Sequence, residues 1–444
     1  MPLIGAVLSR HSQVKHPLAL KQREIMLLTE TPRFSKRVKL LDSYLSVRNT
    51  TTDICRPLAI EDHAVQPSAD VSPPKWHLGH TTWFFEELIL VRFMPHYTRW
   101  NTQYRPLFNS YYKSAGQHWI QAKRGNLSRP LVSEILGYRN HVDHHMQQLL
   151  QRDIDAPEME KMVEIGLHHE QQHQELLYMD IKFILGVNPL HVIYNDNPLP
   201  KAPWVNPLSQ MPQWKTFAKG IYQVGHSGGD FAYDNESPQH NTYIAPFAIA
   251  THTVSNGEYL QFMTDLGYST PRHWLSQGWD WLSNNQVKHP LYWLQEEGIW
   301  YEFTLHGRHA LDLNAPITHI NYFEATAFAS WKGCRLPTEQ EFEIYLQQSE
   351  FALTSAPNGN HPHDTRIPVG QVWCWTQSHY SAYPEFEPYQ GMLEEYNGKF
   401  MCNQFVLKSG CVVTPAGHYR HTYRNFYQPH QRWMFSGIRL SKDT

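Results

Sequence analysis

The fold of the first half of the chain is decided by one segment, EMEKMVEIGLHHEQQHQELLYMDIKFILG, residues 158–186. Residues at steps of three, four and seven form one face of an α-helix in this segment, and they are Met162, Ile165, His169, His173, Leu176 and Phe183. Gly186 and Pro189 end the helix, which is therefore predicted over 158–187. Helical spacing also runs through 17–32, 35–50, 76–95 and 131–152, so that the first half is predicted to be a helical bundle.

The texture of the sequence changes after this bundle. The stretch 196–214, DNPLPKAPWVNPLSQMPQW, is rich in proline and is predicted to be an extended linker. Beyond it, short β-prone runs such as GIYQVG, VWCWTQS and KFMCNQFVL alternate with turn residues, and two helices are predicted in SNGEYLQFMTDLG, with Ser255 as N-cap, and NYFEATAFASWKG. We therefore predict a helical metal-binding domain over 1–195, a linker over 196–214 and an α+β domain over 215–444.

Composition excludes several classes of protein. The 444 residues carry a formal net charge of -3 and no long basic run, which argues against nucleic acid or an anionic membrane surface as partner. No segment approaches the roughly 18 apolar residues that a membrane-spanning helix needs. The 5 cysteines are scattered without a CxxC motif, and the N-terminus lacks the build of a secretory signal. We expect reduced thiols and a cytoplasmic location.

The chemistry of the chain is indicated by His169 and His173. Four residues apart on one helix, they are neighbours on the face that is otherwise apolar, and both imidazoles can reach one metal ion. Buried imidazoles without partners are costly, and a metal is a natural way to satisfy them. The competing interpretation is a pair of hydrogen-bonded core histidines.

The string 169–173 also matches the H-E-x-x-H pattern of zinc peptidases, in which Glu170 would be the general base. That interpretation lacks a third ligand, because no glutamate occurs between Glu175 and Glu236. Asp180 lies two turns further along the same helix, too far to converge on the same ion.

A third ligand from a second helix is offered upstream by the segment SPPKWHLGHTTWFFEE, residues 72–87, which contains His77 and His80. Three histidines leave coordination positions open. Such a set suits zinc, copper or iron and does not choose among them.

Motifs along nearly the whole chain resemble the EgtB family, the iron-dependent sulfoxide synthases of ergothioneine biosynthesis. In the first half they are SPPKWHLGHTTWFFE, LFNSYYKSAGQ, RGNLSRP and HHEQQHQEL, and in the second half FAYDNESPQH, CRLPTEQEFE, EYNGKFMCNQ and TYRNFYQPHQRWMFSGIRL. The resemblance implies a DinB-like four-helix bundle followed by a formylglycine-generating-enzyme (C-type-lectin-like, sulfatase-modifying-factor) domain. The second half lacks the cysteine pair with which formylglycine-generating enzymes bind copper, so formylglycine generation is not expected.

The resemblance also implies a reaction. An enzyme of this family joins a thiol, cysteine or γ-glutamylcysteine, to C2 of the imidazole of Nα-trimethylhistidine (hercynine), using O2 and Fe(II), and leaves a sulfoxide. The family motif assigns the metal ligands to His80, His169 and His173, and so chooses His80 over His77.

Further roles follow from the same resemblance. In the subgroup with the NSYY motif a tyrosine is expected to act as acid, here Tyr111 or Tyr112. Gln172 is expected to contact the substrate imidazole, directly or through water. The run 425–427, with Asn425, Phe426 and Tyr427, resembles the part that holds hercynine, and aromatic faces suit its trimethylammonium group.

The thiol carries a carboxylate, for which Arg124 and Arg129 are the candidate partners. The chain departs from the family between the tyrosine pair and Arg124, where relatives tend to have more arginines and this sequence has His118 and Gln121. The departure leaves the donor open, including a selenosugar as in the related selenoneine synthases. The alternatives are a zinc-dependent hydrolase or thiol transferase on the DinB-like bundle, and a non-catalytic protein whose lectin-like domain binds a ligand.

Overall fold

Long helices build the first half, as the 3.6-residue periodicity predicts. The computed structural model describes residues 32–113, 116–152, 156–203, 213–348 and 360–444. Within them the long helices are α1 Pro32–Cys55, α2 Pro74–Phe85, α3 Val132–Leu150 and α4 Pro157–Gly186. These confirm the helices predicted from residue 35 onward. The helix predicted over 17–32 lies outside the described residues apart from Pro32, and so does the middle of the predicted linker, 204–212.

Helix α2 begins at a proline, whose fixed φ suits the first turn. It continues through a π-helical turn, Glu86–Leu90, into Val91–Phe93. Gly166 of α4 lies where a Cβ would come 2.8 Å from Phe85 Cε1, so the absence of a side chain lets α4 approach α2 closely. This close packing brings the histidines of the two helices together.

Short strands and helices alternate in the second half. The strands are β1 Trp214–Phe217, β2 Gly220–Val224, β3 His240–Ile244, β4 Phe247–Ala250, β5 Trp293–Glu296, β6 Ile299–Thr304, β7 Gly307–Ala310, β8 Trp373–His379, β9 Phe405–Lys408, β10 Asn425–Tyr427, β11 Ser436–Gly437 and β12 Ser441–Asp443. The helices are α5 Asn256–Thr264, α6 Ser276–Asn285, α7 Tyr322–Trp331 and α8 Glu339–Gln347. The strands form small sheets in the orders β1-β4-β12, β10-β9-β8-β11, β2-β3 and β5-β6-β7.

Most of the local predictions for this half are confirmed. Ser255 caps α5, since its Oγ accepts a hydrogen bond from the Glu258 amide at 3.2 Å. The run KFMCNQFVL is only partly a strand, because its first residues belong to a 3-10 turn, Gly398–Phe400, and β9 begins at Phe405. That turn begins two residues after Tyr396.

One apolar core extends through both halves. Side chains of α4 are also hydrogen-bonded to the second half, because Trp373 Nε1 donates to Glu175 Oε1 at 2.7 Å and Trp433 Nε1 donates to Asp180 Oδ1 at 2.9 Å. The two halves therefore pack along α4. None of the helices in the described ranges combines the length and the apolar character needed to cross a bilayer. All five cysteines are free thiols.

Candidate metal centre

Three buried histidines converge where α2 meets α4. His80, His169 and His173 each offer one ring nitrogen, and these nitrogens lie within 4.8 Å of one another. The Nε2 atoms of His80 and His169 are 3.2 Å apart. Two apolar helix faces that pack against each other thus bring together the three histidines that the family motif selects.

The orientation of His80 is set by the short helical turn Tyr104–Phe108. His80 Nδ1 donates to the carbonyl oxygen of Phe108 at 2.6 Å, which leaves Nε2 with its lone pair toward the other two rings. Gly79 makes this approach possible, because a Cβ there would come 2.3 Å from Phe108 Cε1. A larger residue at position 79 would displace the group that orients His80.

The three imidazoles are held neutral. Burial lowers the pKa of His169 to about 3 and lowers the pKa of His80 and of His173 well below the ordinary value for histidine. His169 Nδ1 is buried without a hydrogen-bond partner among the described residues, which is uncommon for a buried polar atom. Neutral, convergent imidazoles fit a divalent first-row metal ion, which needs the unprotonated nitrogen.

Glu170 belongs to a different environment, although it follows His169 directly. Its carboxylate accepts hydrogen bonds from Arg48 at 2.9 Å, from Thr51 at 2.7 Å and from Arg139. Burial raises the pKa of Glu170, but the guanidinium groups of Arg139 and Arg48 outweigh it and lower the pKa to about 2. A carboxylate so occupied, and absent from the lining of the cavity described next, does not fit the role of general base in a zinc peptidase.

A cavity of about 380 Å³ borders the three histidines and is lined by residues of both halves of the chain. Most of the residues predicted for the site line it, namely His80, His169, His173, Tyr111, Gln172, Arg124, Asn425, Phe426 and Tyr427. Tyr112 and Arg129 are not among its lining residues. Tyr396, Tyr423 and Trp433 of the second half, which sequence reasoning did not single out, also line it.

The two tyrosines of the NSYY motif occupy different positions. Tyr111 is partly buried and its hydroxyl donates to the Tyr396 carbonyl oxygen at 3.3 Å. Tyr112 lies behind it, with ring centroids 4.6 Å apart, and its hydroxyl is buried without a partner among the described residues. Burial raises the pKa of both hydroxyls, so that both keep their protons at neutral pH.

Gln172 is held by tyrosines of the second half. Its Nε2 donates to the Tyr423 hydroxyl at 2.9 Å, and its Oε1 accepts from the Tyr396 hydroxyl at 2.8 Å and from the Tyr233 hydroxyl at 3.4 Å. These contacts fix the amide orientation. Tyr396 lies in EYNGKFMCNQ, a motif that carried the family resemblance, so the motif marked the region without indicating this contact.

The two candidate arginines also separate. Arg124 is buried, its guanidinium carbon lies 3.2 Å from the centroid of the Trp76 ring, and one of its terminal nitrogens donates to Ser72 Oγ at 2.8 Å. Its Nε has no partner among the described residues, and burial lowers its pKa to about 9. Arg129 is exposed and bonds the Ser128 carbonyl oxygen. The structure therefore brings Arg124, and not Arg129, to the cavity.

Strand β10 contributes Asn425, Phe426 and Tyr427 to the lining of the cavity. The Phe426 ring stacks on Tyr380 with centroids 4.0 Å apart, and the Tyr427 ring meets Trp433 edge to face at 5.5 Å. All three residues of the strand are partly buried. Aromatic side chains of the second half thus line the same cavity as the histidines.

Two known families each match one part of the chain. Residues 44–177 match the DinB superfamily and residues 206–352 match the sulfatase-modifying factor enzyme 1-like domain. These matches confirm the predicted fold, a DinB-like helical part followed by a formylglycine-generating-enzyme-like part. A structure of PvdO from Pseudomonas aeruginosa aligns with 53% of this chain and 96% of its own, at 14% identity and a TM-score of 0.33, which is too low to add to the assignment.

Similar proteins are found among hercynine oxygenases. That of Mycobacterium tuberculosis is 30% identical over 242 residues, which are 47% of this chain and 56% of the relative. That of Mycolicibacterium smegmatis is 29% identical over 314 residues, or 62% of this chain and 70% of the relative. Ergothioneine biosynthesis protein 1 of Schizosaccharomyces pombe is 28% identical over 233 residues, or 48% of this chain and 28% of the relative. The match thus spans little more than half of the first of these proteins.

Proposed function

Because this chain belongs to the EgtB-type family of enzymes, we propose that it joins a thiol to C2 of hercynine with O2 and Fe(II), the metal being held by His80, His169 and His173. The observation that carries the proposal is the convergence of three neutral, buried imidazoles at a cavity that both halves of the chain line. The saturated carboxylate of Glu170 disfavours the zinc-hydrolase alternative. We further propose the domain boundaries at 195 and 215, membership of the NSYY subgroup and a cytoplasmic location.

The reaction requires four electrons to be taken from two organic substrates. The C2–H hydrogen of hercynine and the S–H hydrogen of the thiol leave as water with one atom of O2, and the other oxygen atom becomes the sulfoxide. Iron(II) bound by the three imidazoles would supply the electron transfer to O2 that the imidazole and the thiol do not undergo unaided. The protein supplies the binding, the orientation and the protons.

Tyr111 is the proposed proton donor. Its hydroxyl borders the cavity and is kept protonated, because burial raises its pKa. Tyr112 would act through Tyr111, as a packing partner behind it. Tyr396 offers a second hydroxyl at the cavity, but that hydroxyl is already engaged by Gln172 at 2.8 Å.

Hercynine is proposed to lie between α4 and β10. With Oε1 of Gln172 occupied by two tyrosines and one amide hydrogen donated to Tyr423, the second hydrogen on Nε2 is free to donate to an imidazole nitrogen. The rings of Phe426 and Tyr427 suit the trimethylammonium group, at roughly 0.5–2 kcal/mol for each cation–π contact.

The carboxylate of the thiol is proposed to meet Arg124. A buried guanidinium with an unused Nε–H at the wall of the cavity is a good partner for an anion. Gln121 and Asp70 line the same cavity as Arg124.

The test is an aerobic incubation of the Fe(II)-loaded protein with hercynine, read by mass spectrometry, with cysteine, γ-glutamylcysteine and a selenosugar offered in parallel. A sulfoxide-linked product that requires iron and O2 is expected from one thiol. Product from the selenosugar alone would identify a selenium donor and would still support the proposed metal ligands. The same assay on His169→Ala should give no product. His144→Ala, which changes an exposed histidine that is not among the residues lining the cavity, should match the wild type. No coupled product from any donor would refute the proposal.

A further inference from the structure

We propose that His77 and Asp180 form a relay that holds His173 in the tautomer that can ligate a metal, and that Trp433 connects this relay to the second half of the chain. The inference rests on the metal site of the proposed function and adds positioning residues to it. His77 was passed over as a ligand and Asp180 as too distant, yet both line the cavity next to the three histidines.

The relay is a continuous line of buried hydrogen bonds. His77 Nδ1 lies 2.8 Å from His173 Nδ1, and His77 Nε2 lies 2.9 Å from Asp180 Oδ2. His77 and Asp180 are each 2% exposed, so these bonds are largely shielded from bulk solvent. Asp180 is thus bonded to His77, and His77 is bonded to His173, which is a proposed metal ligand.

Asp180 can only accept in this arrangement. The Ser72 amide donates to its Oδ2 at 2.9 Å, and the Trp433 indole donates to its Oδ1 at 2.9 Å. Two fixed N–H donors make an ionised carboxylate the matching acceptor, so the hydrogen between Asp180 and His77 belongs to His77 Nε2.

The position of that hydrogen determines that His77 Nδ1 is an acceptor and which nitrogen of His173 carries a hydrogen. With its hydrogen on Nε2, the His77 ring accepts at Nδ1, and the hydrogen between the two facing Nδ1 atoms must therefore be on His173. His173 then carries its hydrogen on Nδ1 and keeps the Nε2 lone pair for the metal. The opposite tautomer of His173 would place a hydrogen on Nε2 and prevent ligation.

Trp433 gives the relay a second consequence. It is the only relay member from the second half, and it contacts Asp180 from 253 residues away in sequence. Packing of the second half against α4 therefore helps to orient a ligand that the first half carries. A purely structural hydrogen-bond network would stabilise the interface without affecting the metal.

A double-mutant cycle on the metal-binding protein separates these two roles. His77→Phe and Asp180→Ala are each expected to weaken Co(II) binding about 10–100-fold, measured by competition with a chelator, and to change the visible Co(II) spectrum. Because both residues act through the same hydrogen on His173, the double variant should bind Co(II) no more weakly than His77→Phe alone. Independent contributions would multiply instead.

Asp234→Ala is the matched control. Asp234 is also a buried carboxylate that accepts N–H bonds, from Asn397 at 2.6 Å and from the amides of Asn235 and Tyr389, but among the described residues no histidine is hydrogen-bonded to it. This variant should lose stability and keep the Co(II) affinity of the wild type. Thermal unfolding of each metal-free variant establishes that it is folded.

The outcomes are distinct. Single variants that bind Co(II) within about twofold of the wild type, or losses that multiply in the double variant, would overturn the relay and leave the proposed function intact. A folded wild-type protein that binds no Co(II) or Fe(II) would overturn the proposed function and the relay with it. Trp433→Phe should weaken binding by less than Asp180→Ala, because it removes one of the bonds that fix Asp180 and leaves the other.

Discussion

His169 and Glu170 are adjacent on α4 and both are buried, but their surroundings differ. Every oxygen of Glu170 is engaged by a charged or hydroxyl donor from α1 or α3. His169 has one nitrogen without a partner among the described residues and the other directed at His80. A buried polar group whose bonds are complete holds helices together, whereas one whose bonds are incomplete and convergent indicates a ligand to be bound.

The largest effect is expected when the hydrogen-bonded cluster around the Glu170 carboxylate is broken. Glu170→Ala leaves the guanidinium groups of Arg48 and Arg139 buried without their carboxylate, which should lower the free energy of unfolding by about 3–5 kcal/mol. Denaturant unfolding of the metal-free protein measures this loss. A loss below about 1 kcal/mol would mean that the cluster contributes little to stability, and it would contradict the helix-holding role assigned to Glu170.

The cluster of His80, His169 and His173 should respond differently, because its disruption should affect metal binding and not the stability of the metal-free protein. His169→Ala removes a ring whose Nδ1 has no hydrogen-bond partner among the described residues and whose Nε2 faces His80 Nε2 at 3.2 Å, so the metal-free protein should keep its free energy of unfolding within about 1 kcal/mol. The wild type should gain about 2.7 kcal/mol at a free metal concentration one hundred times Kd, and the variant should gain none. Thermal unfolding with and without Fe(II) or Co(II) gives both values. Metal stabilisation that survives in the variant would contradict the ligand assignment.

A smaller effect is expected at Gly79, which orients a ligand without being one. Gly79→Ala should push Phe108 away and loosen the bond that holds His80, weakening metal binding about tenfold. Gly137→Ala in α3 is the control, because a Cβ there would meet nothing closer than the Trp100 ring at 3.6 Å. The control should keep metal affinity, and equal effects of the two changes would contradict the role assigned to Phe108.

The smallest effect on stability is expected at the tyrosine pair. Tyr112→Phe removes a buried hydroxyl that has no hydrogen-bond partner among the described residues, and it should leave stability the same or up to about 1 kcal/mol higher. It should also leave the product unchanged. Tyr111→Phe should spare the metal and divert turnover from sulfoxide formation to thiol oxidation, as measured by product ratio. Diversion in Tyr112→Phe instead would exchange the two roles.

Local patterns explain which parts of this molecule could be predicted. Helix α4 and its two histidines follow from the 3.6-residue period, because residues i and i+4 share a face wherever a helix forms. The cap at Ser255 is equally local. The run 399–407 was a less successful prediction, since only its end joins a sheet, and strand formation depends on a partner strand that a short sequence does not specify.

The three histidines proposed as metal ligands can thus be selected from the sequence alone, through helix periodicity and the family motif. Tertiary structure decided what orients and surrounds them. Gln172 is held by Tyr423 from 251 residues away, and Asp180 is turned from an outlying carboxylate into the anchor of His77 only because α2 packs on α4. Likewise Arg124 and Arg129, five residues apart, are told apart only by burial. The physical reason is that hydrogen bonds between side chains depend on distances between elements, which no spacing along one element encodes.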